Sequence, residues 1–65
     1  MTEPLIIING VELSEAQSMA VRVAVSTYLV EMAQPGALGD DEHGHLMAEA
    51  YQQRLTEVVR LMVGT

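Results

Sequence analysis

Between positions 14 and 33 the chain reads Ser-Glu-Ala-Gln-Ser-Met-Ala-Val-Arg-Val-Ala-Val-Ser-Thr-Tyr-Leu-Val-Glu-Met-Ala. This run limits what the rest can fold into. Ser14 is a good N-cap, and Gln17 three residues on completes a capping box. Glu15 lies in the first turn, where a negative charge suits the helix dipole. Gln34-Pro35-Gly36 ends the run, because the residue before proline avoids helical angles. Val21 to Val25 alternates like a strand. The apolar run nevertheless spans about 19 residues between caps, and strands seldom exceed about 10. The spacing therefore predicts a helix over 14–33. On that helix Ala16, Met19, Ala20, Val23, Thr27 and Val30 share one side. Val21, Val25, Tyr28, Leu29 and Met32 share another. The polar remainder is a narrow row of Glu15, Ser18, Arg22 and Ser26. A helix apolar on two sides is normally buried on two sides. One cover can come from this chain, and the other is expected from a second copy.

A chain of 65 residues is one domain near the lower limit for a self-sufficient core. With no Cys, no disulfide supports it. With no Trp or Phe, its interior must come from Val, Leu, Ile, Ala and the five Met. The apolar share of 49% is high for so small a domain and again points to an oligomer. The net charge of -6, with three Arg and no Lys, excludes a basic surface for duplex nucleic acid or an anionic membrane. No apolar run is long enough to span a membrane. Met1-Thr-Glu-Pro lacks the basic start of a signal peptide, so a cytoplasmic location is expected.

Met1 to Pro4 reads as a frayed start. Leu5-Ile-Ile-Ile8 is followed by Asn9-Gly10, the strongest short hairpin signal, and Val11-Glu-Leu13 is the return strand. A lone ribbon is marginal. It should therefore lie as a lid across the helices or pair with the ribbon of a second subunit. Residues 34–41 form a loop, rich in Gly, Asp and Pro. Asp40 or Asp41 can cap the next helix, and Gly44 marks a loose first turn. A second helix is expected over 42–63. Its apolar stripe is Met47, Tyr51, Leu55, Val58, Val59 and Met62, with Glu49, Gln52, Gln53, Thr56 and Arg60 mostly opposite. The expected fold is mainly α: a β-ribbon over 5–13 and an antiparallel two-helix hairpin, completed by homo-oligomerisation.

Three groups could carry chemistry. An always-charged Arg22 among valines needs a carboxylate, a phosphate or water. That makes it a structural ion pair, a surface residue, or an anion-binding group at a subunit interface. Asp40-Asp-Glu-His-Gly-His45 is the polar focus. It reads as capping acids with solvated histidines, or as hydrogen-bonding groups for a polar ligand. His43 and His45 could share a metal only in a loop, with no cysteine to join them, so neither metal nor cofactor is expected. Tyr51 and Arg54 are neighbours on one helix surface. They could stack on a base and hold a phosphate, or serve as core and as the partner of an acid such as Glu57. No nucleophile–base pair, phosphate-loop glycine pattern or paired catalytic carboxylates occur, so an enzyme is not expected.

The pattern Ile8-Asn-Gly-x-x-Leu13-Ser14, Val21-Arg22, Leu38-Gly-Asp-Asp-Glu-His-Gly44 and Ala50-Tyr51-x-x-Arg54 resembles a group of very short phage and prophage proteins. Proteins of this size include counter-defence sponges that oppose the CBASS and Thoeris systems. These are oligomers of short helical chains, some with a β element. They sequester cyclic nucleotides or cyclic ADP-ribose relatives between subunits. The resemblance implies a non-enzymatic, nucleotide-sequestering homo-oligomer in the host cytoplasm. In it Arg22, Asp41, His43, Tyr51 and Arg54 would line the ligand pocket. Two other readings are open. One is a small acidic protein–protein inhibitor of a host factor, and the other is a purely structural oligomer.

Overall fold

The computed structural model describes residues 3–63. It is mainly helical. A two-stranded antiparallel sheet, β1 (Ile7–Ile8) and β2 (Val11–Glu12), precedes helices α1 (Glu15–Met32) and α2 (Glu42–Val63), which pack together as a hairpin. Met1 and Thr2, the outer half of the expected frayed start, lie outside the described residues, as do Gly64 and Thr65.

The ribbon turns at Asn9 and Gly10, whose φ angles of 51° and 80° are both left-handed. That is the turn for which Asn-Gly is suited. It sets Ile8 opposite Val11 and Ile7 opposite Glu12. The Leu13 amide donates to the Ile6 carbonyl at 2.9 Å, extending the pairing by one rung. The ribbon is not a lid. Ile7, Ile8 and Val11 are all exposed, and only the flanking Ile6 and Leu13 are half-buried. Two-residue strands are too short to cover a helix pair.

α1 begins with the capping box that Ser14 and Gln17 predict. The Gln17 amide donates to Ser14 Oγ at 3.1 Å, and the Ser14 amide donates to Gln17 Oε1 at 2.9 Å. Its inner side holds Val21, Val25 and Leu29, half-buried, and the buried Met32. Beyond the exposed Glu15, the expected polar row turns away from solvent. Ser18 is the most buried side chain described, at 2% exposure, and Arg22 and Ser26 are half-buried. The segment before the ribbon folds back over this row and brings Glu3, Pro4 and Leu5 beside Ser18. The other apolar side, Ala16, Met19, Ala20, Val23, Thr27 and Val30, is exposed along its whole length.

α2 opens on Asp41, whose Oδ1 accepts the Gly44 amide at 2.8 Å. Glu42 in the first turn and Arg60 in the last both suit the dipole. Its inner stripe is turned by about one residue from the expected one. Gly44 and Ala48 are buried, and Gln52, Leu55, Thr56, Val59 and Met62 are half-buried. Met47, Tyr51 and Val58 sit at the margin instead of the centre. The small residues explain the rotation. A Cβ on Gly44 would stand 2.5 Å from the Leu38 carbonyl oxygen and 2.9 Å from that of Gly39. Gly44 is therefore no loose turn, because the loop packs directly on its backbone. Gln52, expected on the outer side, reaches inward, and its amide donates to the Met32 carbonyl at 2.6 Å. That satisfies one of the carbonyls a helix leaves open at its C-terminus.

Among the described residues only Met32 and Ala48 are buried apolar side chains. The hairpin places its functional groups on a scaffold with very little interior.

Gly44→Ala tests the close approach. Helix propensity alone favours alanine by about 1 kcal/mol. Overpacking costs about 1–3 kcal/mol, and here the obstacles are backbone carbonyls that cannot swing aside. The expected result is a lower denaturant midpoint. A midpoint at or above wild type would show that the loop does not rest on Gly44.

Candidate functional site

Arg22 lies two turns into α1. Its Nε donates to Glu3 Oε1 at 2.7 Å and its Nη2 to Glu3 Oε2 at 3.2 Å, a two-pronged clasp. The Glu3 side chain is 12% exposed and that of Arg22 33%. The hydrogen bond from Arg22 holds the Glu3 carboxyl below the usual carboxylate range, against a smaller opposing effect of desolvation. The same bond raises the Arg22 guanidinium. Glu3 belongs to a segment that reads in sequence as a frayed start, so its role is a correction. The signal was present in part, since an Arg among valines requires a carboxylate, but nothing local says which of the nine acids supplies it.

Tyr51 meets Tyr28 of α1 edge to face, with ring centres 5.9 Å apart at 76°. Such pairs contribute about 0.5–1.5 kcal/mol beyond their buried area. Both rings keep more than a third of their surface in solvent. Arg54, one turn beyond Tyr51, donates through Nη1 to both oxygens of Glu57 at 3.0 and 3.1 Å. This pair is well exposed, and exposed pairs contribute little. A half-open aromatic pair beside a guanidinium held only loosely is suited to stacking on a flat ring.

Asp41 is occupied as the cap of α2, and His43 is exposed in the first turn. Beside them lies an open groove of about 630 Å³ between the interhelical loop and α2. Gly36 and Gly39, at φ angles of 71° and 109°, shape its rim. Its polar lining is Gln34, Asp40, His45, Glu49 and Gln52, and none of Arg22, Asp41, His43, Tyr51 or Arg54 lines it. Two carboxylates make this groove a poor seat for an anion. Among the described residues no group of three His, Cys, Asp or Glu could hold a metal ion.

Within one chain the five residues do not meet. His43 and Arg54 are separated by about 16 Å along α2 at 1.5 Å per residue. Arg22 lies away from the loop end that carries His43, held by the N-terminal segment. What the fold does assemble is Tyr28, Tyr51 and Arg54 on one flank and Glu3 with Arg22 on another. Tyr28 was legible only as an apolar position on α1. No family model, curated protein or solved structure matches this chain.

The clasp gives a pH signature. A carboxyl whose folded value lies below its unfolded value of about 4.3 stabilises the fold above that pH. The contribution disappears as pH falls through the lowered value. The Arg22 shift is lost only above the guanidinium range, beyond ordinary conditions. Wild type should therefore exceed Glu3→Gln in thermal midpoint above the unfolded value of about 4.3, and the gap should narrow as pH falls below it through the lowered folded value. A gap that stays constant across this range would show that the Glu3 charge does not contribute.

Proposed function

We propose that the protein is a non-enzymatic binding module that works as a homo-oligomer and sequesters a small nucleotide-like ligand between subunits. The observation that carries the oligomeric part is the meagre interior. With Met32 and Ala48 as the only buried apolar side chains among the described residues, the hairpin has too little core to stand alone. The ligand class rests on the sequence resemblance to nucleotide sponges and on the Tyr28–Tyr51 pair beside Arg54. Rings offer a stacking surface, and the guanidinium can exchange the exposed Glu57 for a phosphate. The net charge of -6 repels an anion from a lone chain, so such a site needs cations gathered from two copies. Among the described residues no helix is long and apolar enough to cross a membrane.

Native mass spectrometry with and without a pool of cyclic nucleotides and ADP-ribose derivatives tests this reading. The expected result is an oligomer shifted by whole numbers of nucleotide masses. Arg54→Ala should lower retention at least tenfold while the oligomer persists, the loss of one charge-assisted contact of about 1.5–3 kcal/mol. A clean oligomer without adduct, coupled to a host protein recovered in fixed ratio, would replace this function with that of an acidic protein inhibitor.

A further inference from the structure

The outer side of α1 is an apolar face the single chain leaves uncovered. Ala16, Met19, Ala20, Val23, Thr27 and Val30 form an exposed strip through the length of the helix, with no ionisable group among them. The rest of the surface carries an acid-rich net charge of -6. A charged partner would find nothing to pair with on this strip, whereas the same strip on another copy matches it in size and polarity. Small side chains at Ala16 and Ala20 let a second helix approach closely. The surface of the whole chain, of which the strip is one part, agrees with a protein partner. A compact monomer of 7.1 kDa exposes about 4,100 Å². This chain exposes 5003 Å², roughly 900 Å² more. A standard interface removes about 800 Å² from each partner.

We infer that the outer side of α1 packs against the same side of α1 in a second copy, antiparallel, about a two-fold axis close to Val23. This rests on the reading that the working unit is a homo-oligomer and specifies its seam. The helix dipoles select the direction. Glutamates meet glutamates either way, Glu15 against Glu15 and Glu31 against Glu31 in a parallel pair and Glu15 against Glu31 in an antiparallel one. Only the antiparallel pair sets the two dipoles in opposition. The two-fold axis then sets Val23 against its own copy and Ala16 against Val30.

The chain has no cysteine, so single introduced thiols report these neighbours without background. Val23→Cys in the full chain, mildly oxidised, should form a covalent dimer in high yield. Ala16→Cys alone should not, because its two copies lie about 21 Å apart across the axis at 1.5 Å per residue. A mixture of Ala16→Cys and Val30→Cys should form the mixed dimer. Gln53→Cys on the exposed side of α2 sets the level of random collision. Val23→Cys linking no better than Gln53→Cys, or Ala16→Cys linking to itself, overturns the antiparallel seam. The native mass of the unmodified protein separates the two claims. An oligomer without these links refutes the seam alone, and a folded monomer refutes the oligomer as well.

Discussion

A helix that is apolar nearly all round has no strong preference for which side faces inward. α1 is such a helix, and polar contacts settle its rotation. Near its beginning the Arg22 guanidinium is gripped by Glu3, and at its end the Met32 carbonyl receives the Gln52 amide. Hydrophobic burial alone would accept several rotations at similar free energy, but directional hydrogen bonds accept one. Once α1 is fixed in this way, Ser18 turns inward and the strip from Ala16 to Val30 turns out.

The other end of the hairpin is fixed by absence of bulk. Gly44 lets the loop carbonyls of Leu38 and Gly39 lie against the first turn of α2, and Asp41 ties that turn to the loop. Ala48, one turn on, continues the close approach and is one of the two buried apolar side chains. The interior is therefore small because the helices meet through small residues. That choice leaves the larger Met19, Val23, Val30, Tyr28 and Tyr51 at margins and outer faces, where they are available to something else.

What the sequence made legible follows the range of the interaction. Ser14, Gln17, Asn9 and Gly10 act on backbone within three residues, and each does what its type and position suggest. The Arg54–Glu57 pair is equally local, and it was one of the two readings the sequence left open. The contacts that were not legible join distant parts of the chain. Glu3 reaches Arg22 nineteen positions away and Gln52 reaches Met32 twenty away, and no spacing rule connects such residues. The rotation of the α2 stripe was missed for a related reason. Counting large apolar residues puts the centre at Met47, Tyr51 and Val58, whereas the closest approach is made by Gly44 and Ala48, which such a count overlooks. The five residues assigned to one pocket by resemblance are dispersed for the same reason: a motif records order along the chain, not which subunit completes a site.

The proposed seam bears on where an anion could be held. A two-fold axis perpendicular to α1 near Val23 keeps each flank of the helix on the same side of the pair. Arg22 is one residue from the axis, so its two copies would stand level on one flank. The two Tyr28–Tyr51 pairs, five residues from the axis, would line the other. Each Arg22 already grips a carboxylate, and that carboxylate has the planar two-oxygen geometry a phosphate or an acid ligand would present. An anion entering there must displace Glu3 from both chains, leaving two extra negative charges nearby. The tyrosine flank requires no such exchange at a buried position, only the release of Arg54 from the exposed Glu57. On electrostatic grounds the tyrosine flank is the better seat for a nucleotide. The Arg22 clasp is then best understood as part of the frame that orients α1.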